Sequence, residues 1–121
     1  MTMASFYRSH AARLPADYVS FLESHAPYEG DLGDVLGYVR LWSPGEIDES
    51  YIGHEMEEFL SSGWFPIGSN MGGEMLVLNL ASGSESVYRL PFIGMSDEEP
   101  WLLCESYSEL INAAAQAENH A

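Results

Sequence analysis

A chain of 121 residues has the length of one domain and can bury a core, hiding roughly two-thirds of its unfolded surface. Its 46% hydrophobic and 12% aromatic content excludes a disordered acidic tail. Nineteen acids against four arginines (Arg8, Arg13, Arg40 and Arg89) and no lysine give a formal charge of -15. That balance argues against direct nucleic-acid binding, which needs cations to displace phosphate counterions, and against an anionic membrane. It favours a basic protein partner, steered in by the negative field.

The first helix is expected near Pro15, with Asp17 at the positive end of its dipole. Leu14, Tyr18, Phe21 and Leu22 form its apolar stripe. Residues 27–34 read as a loop carrying Glu29, Asp31 and Asp34. A strand follows over 36–42. Ser43, Pro44 and Glu46 then give a capping box that opens a helix running to Gly63. Its expected apolar face is Ile47, Tyr51, Ile52, Met56, Phe59 and Leu60. Strands are expected at 64–67, 74–80, 86–92 and 101–104, and Pro91 marks a sheet edge or exit. A second capping box, Ser106 to Glu109, opens a final helix with an alanine-rich tail expected to fray.

Strand parity groups Val39 and Leu41 with Leu76, Leu78, Leu80, Tyr88, Leu90 and Phe92 as the core face. The opposite face would carry Tyr38, Arg40, Trp42, Met75, Val77, Asn79, Val87 and Arg89, a mixed surface open to a partner or a second copy.

Catalytic signatures are missing. His54-Glu55-Met56-Glu57-Glu58 lacks the second histidine of a zinc-protease helix. The segment 68–73 has no lysine for a phosphate loop, and its serine stands one place too early for a nucleophile elbow. Gly68, Gly72 and Gly73 are read as structural residues of a turn between strands. The single cysteine, Cys104, excludes an internal disulfide, fits a reducing compartment and reads as a buried inert thiol. No segment has the length of a signal peptide's apolar region or of a membrane span, so a cytoplasmic location is expected.

Three blocks resemble the SUKH superfamily, which includes the fungal Smi/Knr cell-wall assembly regulators and many bacterial immunity proteins. They are Leu14–Leu22, Phe65–Leu78, and Val87–Phe92 followed by Cys104–Leu110. Asn70 and Asn79 depart from the resemblance, standing where acids are common in that family. The resemblance implies an α+β fold: a twisted, mostly antiparallel sheet with helices packed mainly on one face. It implies one domain over 1–121, with its core at about 14–112 and frayed termini. It also implies protein binding rather than catalysis; the dispersed histidines and the lysine-free glycine loop lead to the expectation of no metal or cofactor.

The expected function is that of an immunity protein neutralising a basic, nuclease-type toxin. The alternative is a regulatory or scaffold protein with a non-toxin partner; an enzyme ranks third, and a homodimer is a further option. The candidate partner residues are Glu29, Asp31, Asp34, Asp97, Glu98 and Glu99, with Tyr38, Arg40, Trp42 and Arg89 as the alternative face.

Overall fold

In a computed structural model, the structure describes residues 5–59, 63–95 and 100–119. The fold is α+β. Helices α1 (Ser5–His10), α2 (Ala16–Ser24), α3 (Pro44–Gly53), α4 (Met56–Phe59) and α5 (Tyr107–Asn119) accompany one six-stranded sheet. Its strands are β1 (Tyr28–Asp31), β2 (Tyr38–Leu41), β3 (Trp64–Ser69), β4 (Glu74–Asn79), β5 (Val87–Pro91) and β6 (Trp101–Cys104). Each strand pairs antiparallel with the next in sequence, so β1 and β6 form the edges.

Local signals place several elements. Ser43 Oγ accepts from Glu46 N at 3.3 Å, and Glu46 Oε1 accepts from Ser43 N at 3.1 Å, so the capping box at α3 is complete. At α2, Asp17 Oδ1 accepts from Tyr18 N and also from the Tyr107 hydroxyl at 2.5 Å, tying α2 to α5. The expected box at Ser106 takes another form. Ser106 Oγ accepts from Ser108 N and donates to Glu85, so its partner is a loop acid rather than Glu109. α5 continues through the alanines to Asn119 and buries Ala114.

Three further expectations are corrected. Residues 28–31 form a strand rather than a loop, paired with β2 from Tyr28↔Leu41 to Asp31↔Tyr38. The long helix expected to reach Gly63 breaks after Gly53: Glu55 takes φ 53, and α4 restarts at Met56. The break turns Met56 fully into the core and leaves Ile52 exposed. Leu60 lies outside the described residues. Finally, the chain is already helical at Ser5, and Phe6 stacks on Tyr51 (3.7 Å between centroids) and on Phe65 (5.4 Å).

The register also revises the two faces. Tyr28, Leu41, Gly68, Leu76, Arg89 and Trp101 make one row across all six strands. Glu29, Arg40, Ser69, Met75 and Leu90 make the neighbouring row on the opposite face. Val87 and Arg89 therefore share a face with Leu76 and Leu78, whereas Tyr88 and Leu90 lie with Met75 and Val77. Leu78 meets Val87, not Tyr88, and this sets the parity of β5. Met75, Leu76, Val77 and Leu78 are all buried, so the middle of the sheet is covered on both sides rather than half-solvated.

Candidate partner-binding surface

Antiparallel order brings the end of β1, the start of β2, the end of β3, the start of β4, the end of β5 and the start of β6 to one end of the sheet. Two side-chain clusters sit there, one on each face.

On the Met75 face, Glu29 lies directly across from Arg40, the arrangement in which opposite charges support a strand pair. Arg40 Nη1 donates to Glu29 Oε1 at 3.0 Å. Its Nε and Nη2 donate to Glu46 Oε2 at 3.0 and 2.6 Å. The Tyr38 hydroxyl donates to Glu29 Oε2 at 2.5 Å. Hydrogen bonds first from Tyr38 and then from Arg40 hold the Glu29 carboxyl below its ordinary value, and the same bond to Glu29 raises Tyr38. Glu46 thus completes the cap of α3 and anchors Arg40 at once. The acidic residue Glu29 and the mixed residues Tyr38 and Arg40, separate candidates in the sequence, form one cluster.

Asp31 Oδ1 accepts from Gly33 N at 2.9 Å and shapes the turn that carries exposed Asp34. Asp97, Glu98 and Glu99 lie outside the described residues. The remaining mixed-face candidates do not join this cluster. Trp42 is buried, and its ring lies 6.5 Å from that of Phe92. Arg89 projects from the other face.

There, Arg89 Nη1 lies 3.6 Å from Glu74, and its guanidinium carbon sits 3.9 Å from the Trp101 ring centroid. Asn70 fixes this cluster through the β3–β4 turn. Its Oδ1 accepts from Gly72 N (2.9 Å) and Glu74 N (3.2 Å), while Nδ2 donates to Glu74 Oε1 (2.9 Å). An aspartate could not make that last bond, because it has no proton to give a carboxylate. The sequence marked Asn70 as a departure; its work as a turn organiser needed the structure.

Within the turn, Gly73 has φ +100 and Met71 has φ 61, whereas Gly72 is outside the left-handed region. Gly68 is not in the turn at all. It lies in β3 beside an irregularity between Pro66 and Gly68, where β2 passes close by. A Cβ there would fall under 3.0 Å from the Arg40 carbonyl oxygen and 3.2 Å from Leu41 Cα. Glycine is required because two backbones touch.

Other chemistry is sparse. Burial, then repulsion from Glu109, pushes the Cys104 thiol up to about 11, so it is protonated and a poor nucleophile at neutral pH. Among the described residues, no group of three or more His, Cys, Asp or Glu is placed to hold a metal ion. A shallow cavity between α2 and α5, lined in part by Asp17, Ser24, His25 and Asn112, has a volume of about 210 Å³, below the usual range for a small-molecule site. Among the described residues, no helix is long and apolar enough to cross a membrane.

A search of curated proteins returned no match. The model of the SMI1 / KNR4 family (SUKH-1) matches residues 4–113, spanning every strand of the sheet and both clusters at its loop end. By that match over nearly its whole length, the chain belongs to the SMI1 / KNR4 family (SUKH-1).

Proposed function

We propose that this protein is a non-catalytic binding module of the cytoplasm, an immunity protein that neutralises a basic, nuclease-type toxin domain by occupying it directly. The observation that carries the reading is the acidic loop end of the sheet. Glu29, Asp31, Glu46 and Glu74 hang on a rigid sheet and its adjoining helix, and Asp34 sits on the tight turn between β1 and β2. Two of the chain's arginines are neutralised there by Glu29, Glu46 and Glu74. A field with a net charge of -15 behind it attracts a cationic surface and repels nucleic acid. Family membership supports a protein partner in general.

The test has two arms. Co-expression with a toxin domain encoded beside the gene should restore growth, and the two chains should co-elute. Glu29→Gln, Asp31→Asn and Asp34→Asn together should slow association about tenfold at low salt and flatten its salt dependence, since such charges act mainly on encounter. The melting temperature should hold. Failure of rescue with no co-elution refutes the toxin partner. Unchanged, equally salt-sensitive association refutes the role of the acidic hairpin.

A further inference from the structure

The same end of the sheet carries a second property that charge does not explain. Among the described residues, seven large hydrophobic side chains are exposed, and six of them lie there. Val35 is 81% exposed in the β1–β2 turn, Tyr38 45% at the start of β2, and Met71 57% in the β3–β4 turn. Ile93 is 93% exposed just past β5, beside the β3–β4 turn because Phe92 N donates to Gly73 O at 3.0 Å. Trp101 is 62% exposed at the start of β6, with exposed Leu102 next to it. The seventh, Ile52, sits apart on α3. Scattered exposed apolar residues need no explanation, but a set gathered at one end does.

Tyr38 projects from the Met75 face and Trp101 from the Leu76 face, so the set follows the end of the sheet rather than one face. Six strands are crossed in five steps of about 4.8 Å, roughly 24 Å in all. A standard protein interface takes about 800 Å² per partner, a patch roughly 28 Å on a side. Trp101 is also held in place before any partner arrives. Arg89 lies against one ring face, Glu74 holds Arg89, and Asn70 holds Glu74. An ordered tryptophan loses less freedom on binding, and tryptophan is the residue type most enriched among binding hot spots.

We infer that Val35, Tyr38, Met71, Ile93 and Trp101 form the apolar contact of the binding surface, with Trp101 its anchor, and that the occupant is a cationic protein surface presenting an aliphatic ridge. This rests on the proposed function in one respect, the basic partner. A second copy of the chain fits poorly, because two molecules each carrying -15 would bring the same carboxylates together. Charge complementarity selects a ridge flanked by lysine or arginine, with the carboxylates as the rim.

The probe is a capped 18-residue amphipathic Lys/Leu peptide, followed by NMR on the labelled full chain. One control peptide replaces every Leu by Ser at the same charge; another replaces every Lys by Glu. The Lys/Leu peptide should shift the Trp101 indole and the Met71 and Ile93 methyl signals, and bind about tenfold more tightly than Lys/Ser. The Glu/Leu peptide should not bind. Trp101→Ala and, separately, Ile93→Ser should each weaken Lys/Leu binding about fivefold, whereas Ile52→Ser should not. Equal binding of Lys/Leu and Lys/Ser overturns the apolar contact and leaves the basic partner standing. Shifts centred on Ile52, no binding of Lys/Leu, or a dimer in sedimentation that the Trp101 variant abolishes would each overturn it as well. The basic partner itself stands or falls on the association assay.

Discussion

Replacing Gly68 by alanine should unsettle the fold and the candidate surface together. The added methyl would project from β3 into the backbone of β2, under 3.0 Å from the Arg40 carbonyl oxygen, and near Arg40 C and Leu41 Cα. Backbone atoms cannot rotate away as a side-chain tip could. The strands must separate, and the contact falls where β2 and β3 pair, at Arg40↔Ser69 and Leu41↔Gly68. Overpacking of this kind costs about 1–3 kcal/mol, and a collision with backbone belongs near the upper end, about 2–3 kcal/mol. For a domain of this size that lowers the melting temperature by about 6–15 °C. Because Arg40 moves with its carbonyl, the bonds to Glu29 and Glu46 loosen as well, and affinity for a basic partner falls. The assay is thermal melting followed by near-ultraviolet circular dichroism, with Gly72→Ala as control. Gly72 has no positive φ, and its nearest neighbour to an added Cβ is Asn70 Oδ1 at 3.5 Å, so the control should melt within about 1 °C of the parent. Gly68→Ala melting with the control would refute the close-approach argument.

The Cys104 thiol, raised to about 11, should be alkylated by iodoacetamide at pH 8 about 100-fold more slowly than an ordinary thiol, and more slowly still for its burial. Equal rates in native and urea-unfolded protein would contradict this. The same shift sets a sign. Between pH 9.0 and about 11 the unfolded thiol loses its proton while the folded one keeps it, so stability present below pH 9.0 declines as pH rises through that window, and Cys104→Ser should flatten the decline. Chelation by EDTA should move the unfolding midpoint by less than about 1 °C, because no group of three or more ligand side chains among the described residues is placed to hold an ion; a large fall would overturn this.

What the sequence disclosed follows from how far each signal reaches along the chain. The cap at Ser43 spans three residues, so its chemistry is complete in the sequence, and the apolar run of β4 is likewise local. β1 is different. Tyr28-Glu29-Gly30-Asp31 has no apolar alternation, and its strand conformation comes from pairing with β2, including the Glu29–Arg40 pair. Parity failed for a related reason. With both faces of β4 buried, alternation carries no information on facing, and the position of β5 depends on the loop that sets Leu78 against Val87. Glu29, Asp31 and Asp34 could be singled out in the sequence because charge is a property of composition, whereas Glu46 and Glu74 were not singled out as partners. The joining of Glu29 to Tyr38 and Arg40, and of Asn70 through Glu74 and Arg89 to Trp101, was not legible, because each link crosses strands.

The two arginines of the sheet show what a cation does in so acidic a chain. The Arg40 pairs, about a third exposed, add little to stability, so their value lies elsewhere. Arg40 is gripped by Glu46 from α3 and by Glu29 from β1, and burial is too slight for either pair to act as a core bond. What the guanidinium supplies is position. It fixes two carboxylates and, through Glu29, a tyrosine, and the cluster still carries a net negative charge. Arg89 performs the equivalent task on the opposite face, where it is fixed by Glu74 and in turn fixes Trp101. Each arginine therefore uses its charge to order acidic or aromatic groups at the end of the sheet where the exposed apolar residues gather. Self-repulsion would otherwise splay these carboxylates apart. An acidic surface that is ordered in advance can meet a cationic partner in one register, which converts long-range attraction into specific contact.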